Sequence, residues 1–519
     1  MLRHMLARVA LAGVLLLAGV VYLRALDSVP TFIGWDEARF AVQGYSIAST
    51  GRDLNGHRTP LFFHNTDPLI ANNSSRMWWQ PVLIYLIAVV LRFAPLSEWS
   101  VRLPIAALAI VNVGLIYAVA RRLFSNAWYG VLAALMMALT PAHLIFGRMA
   151  TDYFLPVPFV LLWLWCVLRC VQADRPWLPA ATGLVLGIGL YSYIASWIIM
   201  PFYLAVTHVV FWLLRKPLRS HVTLVIGFAV PLLALVPWIW LHPEMPHDTF
   251  RAYAVNTSLN LTERVALYWD YFNPSYLFFS GGSDPMWATR RAGVFVLAVA
   301  VLLPCGIWSI KQNPSIARAL LIVGFFFAPV PIILALPEAP RYATARDLLA
   351  VPFGVLLSVA GVEWLVVRHR WAGRIVAALL VVSIPVQFVS FARDYFADYQ
   401  LRSGYRLDSA NMRDVAAYIV AADRSARVPA VYLSKDLGTG KSVQWKFHLE
   451  KNRSEDLWER TSYFDADTFS AGDVPSGSLL VLDMNNPRLE SLLGPSRCSI
   501  AYVVRDGGNT PTATVLRKN

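Results

Sequence analysis

Twelve long apolar segments constrain this chain more than any other feature of its sequence. A membrane-spanning helix needs about 20 mostly apolar residues, because the hydrocarbon core of a bilayer is about 30 Å thick. The chain of 519 residues is 57% hydrophobic and only 15% charged, whereas about 25% of the residues in ordinary soluble domains are charged. We therefore predict an α-helical integral membrane protein. The candidate segments are residues 5–26, 78–94, 101–120, 128–147, 152–171, 177–195, 197–214, 222–241, 291–310, 316–336, 346–367 and 372–391.

Basic residues between the segments predict the topology, since short loops rich in Lys and Arg stay in the cytoplasm. Arg3 and Arg8 place the N-terminus inside, and the first segment, interrupted by Arg24, is predicted to be an uncleaved helix. All later basic loops can also lie inside only if one segment before residue 120 fails to cross. These loops contain Arg121-Arg122, Arg169 to Arg175, Arg215-Lys216-Arg219, Lys311 to Arg318 and Arg368 to Arg374.

Segment 78–94 is the best candidate for the one that does not cross. It is short, contains Pro81, and has Arg92 close to its end. We predict a re-entrant or interfacial helix there, which leaves about eleven transmembrane helices and an outer C-terminus. One conflict is that Arg290-Arg291 would then flank a span on the outer side, where the rule is weaker after a long loop.

This topology divides the chain into a transmembrane domain, residues 1–392, and an outer domain, residues 393–519. Two long outer loops, residues 27–100 and 242–290, are predicted to carry active-site elements. The tail regains charge: residues 408–424 predict an amphipathic helix with Asp408 or Ser409 as N-cap. Three runs in the tail predict strands of a small α/β domain, at residues 428–433, 478–482 and 499–504.

The net charge of +13 belongs largely to the basic loops, so it indicates topology rather than nucleic-acid binding. Anionic lipids and lipid-phosphate substrates are the partners that such a chain favours. The four cysteines form no disulfide or zinc spacing: Cys166, Cys170 and Cys305 lie in apolar runs and Cys498 stands alone.

Acidic residues near the hydrocarbon are candidates for function, because a charge is costly there. Asp36 and Glu37 follow the first apolar segment, and Asp152 opens a later one at the same predicted face. Helix capping is the structural alternative for each of these acids, since acids favour helix N-termini.

Arginines at the same predicted face could bind phosphate, because their guanidinium groups match phosphate oxygens in a bidentate way. Arg102 lies in the motif of residues 97–104, and Arg341 and Arg346 lie in the motif of residues 341–347. The structural alternative is an interfacial arginine that extends towards lipid headgroups. Together, the acids and arginines indicate sugar transfer: an acceptor hydroxyl needs a base, and a phosphate leaving group needs positive charge.

Two other patterns have weaker support. Residues 438–442 resemble a phosphate-binding loop, but Lys435 stands where that motif requires glycine. His242, Glu244, His247 and Asp248 are metal-like in type but lack regular spacing. They are weak candidates for metal ligands, and a solvated loop is the favoured interpretation.

Several short motifs, in their order and spacing, resemble the GT-C superfamily, within it the group of protein mannosyltransferases and lipid A aminoarabinose transferases. The resemblance covers about residues 1–392. It rests on the Asp-Glu pair followed by arginine, an aromatic helix entered through proline, and a Glu-Trp-x-Val-Arg-Leu-Pro motif with a downstream Arg-Arg-Leu-Phe. The matching residues are Asp36-Glu37 with Arg39, Met77 to Tyr85, Glu98 to Pro104, Arg121 to Phe124, Asp152 and Arg341-Tyr342.

The resemblance implies roles for these residues. Asp36 would be the base, and Asp152 and Glu37 would orient the acceptor or the sugar. Gln80 departs from the family pattern, which commonly has Lys or His at this position. Similar proteins often carry an outer C-terminal domain. The lipid phosphate or the donor would be bound by Arg39, Arg102, Arg341, Tyr342, Arg346, Gln80 and Tyr85.

We therefore predict an inverting glycosyltransferase that moves a monosaccharide, a hexose or a pentose, from a polyprenyl-phosphate carrier to an acceptor hydroxyl on a lipid, a glycan or a protein. The predicted location is a bacterial inner membrane, with chemistry on the periplasmic side and lipid A among the possible acceptors. No cofactor is predicted. Three alternatives remain. The first is a transferase for oligosaccharides on polyprenyl diphosphate, some of which need a divalent metal; the second is a transporter of lipid-linked sugar. The third is a non-catalytic assembly subunit that has kept the fold.

Overall fold

The computed structural model describes residues 2–65, 77–253, 259–335, 342–368, 370–470, 472, 474–495 and 497–519. Within these ranges, an apolar helix occupies each of the twelve predicted segments. Eight are long enough to cross a bilayer and four are shorter: Pro81–Leu91, Ala127–Ala138, Trp177–Gly189 and Val299–Gln312. The predicted class, a polytopic helical membrane protein with a small C-terminal α/β domain, is confirmed.

The membrane part contains eighteen of the helices in the described ranges, several of them short breaks or extensions of a longer one. They are α1 Leu2–Leu23, α2 Trp35–Thr50, α3 Pro81–Leu91, α4 Glu98–Leu123, α5 Ala127–Ala138, α6 Pro141–Phe146, α7 Pro156–Gln172, α8 Trp177–Gly189, α9 Ser196–Leu213, α10 Leu218–Leu232, α11 Leu235–Leu241, α12 Glu244–Tyr253, α13 Leu261–Asp270, α14 Val299–Gln312, α15 Ile316–Phe327, α16 Val330–Ala335, α17 Ala350–Arg368 and α18 Arg370–Phe396. Strand β1 Phe63–His64 pairs antiparallel with strand β2 Trp78–Trp79.

Helix α3 is too short to cross a bilayer by itself. It has 11 residues and begins at Pro81, where a proline fits the first helical turn because its missing N–H would have no helical partner. At 1.5 Å per residue the helix is about 16 Å long, roughly half of the hydrocarbon thickness. Its length agrees with the predicted re-entrant or interfacial helix; the number of crossings and their orientation stay predictions.

Glycines allow the backbones of the membrane helices to approach closely. A methyl group at Gly306 of α14 would lie 1.8 Å from the carbonyl oxygen of Leu357, and one at Gly361 of α17 would lie 2.0 Å from that of Leu302. Helices α8 and α10 meet in the same way at Gly183 and Gly227. In lipid, where apolar burial gives little drive for helix association, such close packing supplies much of the attraction.

Arg148 fixes the exit of the chain from α1. Its side chain is buried, and its two terminal nitrogens donate hydrogen bonds to the carbonyl oxygens of Val21, Tyr22, Arg24, Ala25 and Val29. The last carbonyls of a helix have no partner within the helix. The arginine therefore satisfies these groups and holds the start of the segment that leads from α1 to α2.

The C-terminal domain is an α/β unit with a mixed five-stranded sheet. The strand order is β4 (Thr461–Phe464), β3 (Val431–Ser434), β5 (Leu479–Asp483), β7 (Pro511–Lys518) and β6 (Cys498–Arg505). Strands β4, β3 and β5 are parallel, and β7 pairs antiparallel with β5 and β6. Apolar clusters lie on both faces of the sheet. Its elements are α19 Asp398–Leu407, α20 Met412–Ser425, β3 Val431–Ser434, α21 Lys441–Lys451, α22 Asp456–Glu459, β4 Thr461–Phe464, β5 Leu479–Asp483, α23 Leu489–Leu492, β6 Cys498–Arg505 and β7 Pro511–Lys518.

The predicted elements of this domain are largely observed, with one correction. The N-cap of α20 is Asn411, whose side chain accepts a hydrogen bond from the backbone of Asp414, rather than Asp408 or Ser409. Asp408 instead accepts from the backbone of Met412 and pairs with Lys441. Helix α18 runs to Phe396, past the predicted domain boundary at residue 392.

Candidate active site

Asp36 lies in the first turn of α2, two residues after the N-cap Gly34. Its side chain is buried, and two neighbours contact its carboxylate. The Nη1 atom of Arg39, one turn further along the helix, is 3.6 Å from Oδ1. The hydroxyl of Tyr153 donates a hydrogen bond of 3.3 Å to Oδ2. The carboxylate of the predicted base is therefore in contact with one cation and one hydrogen-bond donor.

The environment of Asp36 raises the pKa of its carboxyl group above the ordinary value. Burial is the main cause, because it disfavours the charged form, and the negative charge of Glu37 adds to the rise. Arg39, the hydrogen bond from Tyr153 and the positive charge of Arg346 act in the opposite direction. A carboxylate with a raised pKa is a stronger base than an exposed aspartate.

Two tryptophans hold the guanidinium group of Arg39 in place. Its Cζ atom lies 4.1 Å from the ring centroid of Trp35 and 4.3 Å from that of Trp79. Arginine stacks favourably on aromatic rings, and Trp is the best partner. The cation beside Asp36 is thus fixed between α2 and strand β2, which precedes α3.

Asp152 and Arg346 complete a cluster around Asp36. Asp152 lies in a one-turn 3-10 helix, Asp152–Phe154, which packs against a second such turn, Thr344–Arg346. Asp152 interacts electrostatically with Asp36, Arg39 and Arg346. The structure therefore brings together two buried acids and two arginines from three distant parts of the chain.

Glu37 and Arg102 form a separate, fully buried pair. Arg102 donates from Nε and Nη2 to the two carboxylate oxygens of Glu37, at 2.9 and 3.0 Å. Its remaining donors reach the carbonyl oxygens of Leu26, Pro30 and Phe32. Because five hydrogen bonds occupy the guanidinium group, this geometry favours a structural role over the predicted phosphate binding.

The partners of Glu37 indicate the same role for this acid. Its carboxylate accepts hydrogen bonds from the backbone N–H groups of Gly34 and Ala150, in addition to those from Arg102. Gly34 precedes Asp36 and Ala150 precedes Asp152. Glu37 therefore links the two segments that carry the two clustered aspartates.

Three other predicted site residues, Tyr85, Tyr342 and Gln80, have no contact with the cluster around Asp36 that is described above. Arg341, which was also predicted, lies outside the described residues. The hydroxyl of Tyr85 donates to the carbonyl oxygen of Pro60 at 2.7 Å. Tyr342 stacks on Tyr276, with ring centroids 5.2 Å apart. Gln80 is the buried N-cap of α3, and its amide has no hydrogen-bond partner among the residues that the structure describes.

The weak metal candidates do not share a centre. The Nδ1 atom of His242 is 3.6 Å from Oε1 of Glu244, whereas the Nδ1 atom of His247 is 3.4 Å from Oδ1 of Asp248. Among the described residues, no three His, Cys, Asp or Glu side chains form a group that could hold a metal ion.

Sequence reasoning did not single out Tyr153, Trp287 or Asp347. The ring of Tyr153 meets that of Trp287 edge to face, with centroids 5.7 Å apart, beside the acid cluster. Asp347 is buried, and Tyr276 donates to it at 3.4 Å. Burial raises the pKa of Asp347 well above its usual range. Tyr153 and Asp347 could have been found from the sequence, because they directly follow the candidate residues Asp152 and Arg346. No sequence pattern marks Trp287 as a site residue.

The fold defines a class of protein, a polytopic helical membrane protein with a small C-terminal α/β domain. One family model matches part of the chain. Residues 80–240 match the model described as dolichyl-phosphate-mannose-protein mannosyltransferase. A search of curated proteins gives no significant match.

Solved structures share the fold over nearly the whole chain. ArnT from Cupriavidus metallidurans matches with a TM-score of 0.63 when bound to undecaprenyl phosphate and 0.64 in the apo state, at 16% and 15% identity. Each alignment covers 97% of both chains. The oligosaccharyltransferase AglB from Archaeoglobus fulgidus is less similar, with a TM-score of 0.47, 12% identity, and coverage of 85% of this chain and 63% of that chain. The predicted resemblance to the GT-C superfamily, in its mannosyltransferase-like and ArnT-like group, is confirmed.

Proposed function

We propose that this protein is an inverting glycosyltransferase that moves a monosaccharide from a polyprenyl phosphate to an acceptor hydroxyl. One observation carries the proposal: the buried carboxylate of Asp36 lies beside Arg39 and within electrostatic reach of Asp152 and Arg346. A base and a set of cations at one place meet the two needs of the reaction. The match to the dolichyl-phosphate-mannose-protein mannosyltransferase model supports the donor class.

In the proposed step, Asp36 removes the proton from the acceptor hydroxyl while the hydroxyl oxygen forms a bond to C1 of the sugar. The bond from C1 to the phosphate oxygen breaks, and its electron pair leaves with the polyprenyl phosphate. Because the acceptor approaches opposite to the leaving group, the configuration at C1 inverts. The raised pKa of Asp36 strengthens the base.

Arg346 is the best candidate for binding the donor phosphate. Its side chain is half-buried in the cluster, and it interacts electrostatically with both Asp36 and Asp152. Arg39 would act with it from the other side of Asp36. Asp152 would orient the acceptor or the sugar, as predicted. The roles of Arg341, Tyr342, Gln80 and Tyr85 remain those that the resemblance implies.

We also propose the predicted location. The site would face the periplasm of a bacterial inner membrane, with the N-terminus in the cytoplasm and the C-terminal domain outside. Labelling of single cysteines by a membrane-impermeant thiol reagent tests this in intact cells. A cysteine at exposed Asp27 should react from outside. Labelling only after lysis would contradict the proposed orientation.

The proposed activity is tested with purified protein in lipid, radiolabelled polyprenyl-phosphate sugars and a crude membrane fraction as acceptor. We expect transfer from one of these donors, a product with inverted configuration at C1, and no loss of activity with a chelator. Retention of configuration would contradict the single-displacement step. Transfer only from a diphosphate donor, abolished by chelator, would favour the oligosaccharide transferase instead.

A further inference from the structure

Helix α21 of the C-terminal domain meets the active-site helix α2 directly. The residue before α21 is Gly440, whose φ of +80° lies in the left-handed region that favours glycine. A methyl group at Gly440 would lie 2.4 Å from the Cβ atom of Trp35. Trp35 in turn stacks on Arg39, which approaches Asp36. Three successive contacts thus join the soluble domain to the proposed base.

A buried amide on α21 fixes the residue that precedes α2. Gln444 is fully buried, and its Nε2 atom donates to the carbonyl oxygens of Ile33 at 2.8 Å and Leu407 at 3.0 Å. Lys441 donates to the Oε1 atom of Gln444 at 3.1 Å and to Asp408 at 2.6 Å, which fixes the orientation of the amide. Ile33 directly precedes Gly34, the N-cap of α2.

The far end of α21 holds the start of α4. Lys451 donates to both carboxylate oxygens of Glu98, at 2.8 and 2.6 Å. Glu98 is the first residue of α4, and Arg102, one turn later, holds Glu37. Between these ends, Val443 and Phe447 pack into the core of the membrane domain. Both ends of α21 are therefore connected to the elements that place the acids.

We infer that α21 is a positioning element of the active site, with Gly440 and Gln444 as its positioning residues. The inference rests on the proposed function, because it concerns the geometry of the proposed base. Small displacements of a catalytic group reduce the rate steeply, since a shift of about 1 Å can cost about a hundredfold. The soluble domain would thus contribute to turnover without touching a substrate.

Two variants test the contact and one serves as a control. Gly440→Ala places a methyl group against Trp35, and Gln444→Met removes the three hydrogen bonds of the buried amide at similar side-chain size. Gly438→Ala is the control, because Gly438 also has a left-handed φ, +103°, but a methyl group there would meet nothing within 4 Å. Backbone strain is common to both glycine variants, whereas the contact with Trp35 is not.

The measurements are kcat, KM, and amide hydrogen exchange of residues 33–40 and of the sheet in the C-terminal domain. We expect both test variants to lower kcat about tenfold or more, with smaller changes in KM. Exchange at the start of α2 should become faster while that of the sheet stays unchanged. Gly438→Ala should behave like the wild type.

The inference would be overturned if Gly440→Ala and Gln444→Met had the same kcat and the same amide hydrogen exchange as the wild type. An equal loss in Gly438→Ala would also overturn it, because that loss would come from backbone strain. Exchange needs no donor. A wild type that is inactive with every donor would therefore count against the proposed function alone, and the exchange result would still decide the inference.

Discussion

At the scale of single residues, the environment of Asp36 predicts how activity depends on pH. The base acts only when deprotonated, so the rate falls as the pH drops through its raised pKa. The hydrogen bond from Tyr153 stabilises the carboxylate. In Tyr153→Phe we therefore expect the pKa of Asp36 to rise further and the acidic limb of kcat/KM to move to higher pH. The pH profiles of the two proteins give the test. An unchanged acidic limb would show that Tyr153 does not act on the base.

The buried pair of Arg102 and Glu37 predicts a loss of stability rather than of donor affinity. Removal of one partner leaves the other charge buried without compensation, which costs about 3–5 kcal/mol. We expect Arg102→Met to lower thermal stability in detergent strongly. Arg92→Met, at the exposed C-cap of α3, should have little effect. A folded and stable Arg102→Met protein with weakened donor binding would instead support the phosphate-binding role predicted from the sequence.

At the scale of elements, hydrophobicity predicted the helices well, because apolar length alone decides what can cross a bilayer. The α/β nature of the C-terminal domain was also predictable, although strands β4 and β7 were missed. Local patterns did not reveal the partners of the site residues. Arg102 and Glu37 are 65 positions apart, and Tyr153 and Asp36 are 117 positions apart. Which arginine binds an acid and which faces a substrate depends on tertiary packing, which one sequence does not contain.

The contact between α14 and α17 predicts that Gly361 tolerates no side chain. In Gly361→Ala the added methyl group would lie 2.0 Å from the backbone oxygen of Leu302, so the two helices must separate. We expect a loss of about 1–3 kcal/mol, the usual cost of overpacking, seen as a lower melting temperature. Gly114→Ala in α4 is the matched control, because nothing lies within 4 Å of its added methyl group. That control should be neutral or slightly stabilised, since alanine favours helix over glycine. Equal effects in both variants would contradict the proposed close packing.

At the scale of the whole molecule, α21 joins the C-terminal domain to the membrane domain. A buried acid in this helix, Glu450, predicts how the stability of the protein depends on pH. Burial raises the pKa of Glu450 from 4.5 to about 7, with Lys446 opposing the rise. The folded protein therefore binds this proton more tightly than the unfolded chain does. The resulting stability is fully present below pH 4.5 and is lost as the pH rises through 7.

Glu450→Gln removes this dependence, because the amide does not titrate. We expect the variant to gain stability relative to the wild type as the pH rises from 4.5 to 8, by about 1–3 kcal/mol. Melting temperatures across this range, with the exposed Glu459→Gln as control, provide the measurement. A difference between variant and wild type that stays constant with pH would show that Glu450 does not titrate in this way.

The central claim is that Asp36 is the base of a sugar transfer from a lipid phosphate. The most direct measurement compares wild type, Asp36→Asn and Asp27→Asn, each purified in lipid, in transfer from the labelled donor that the wild type uses. Asp27 is an exposed carboxylate in the segment between α1 and α2 and serves as the control. General bases contribute about a hundredfold to ten-thousandfold. We therefore expect kcat to fall by at least about a hundredfold in Asp36→Asn and to stay at the wild-type value in Asp27→Asn. A folded Asp36→Asn protein with full transfer activity would contradict the account.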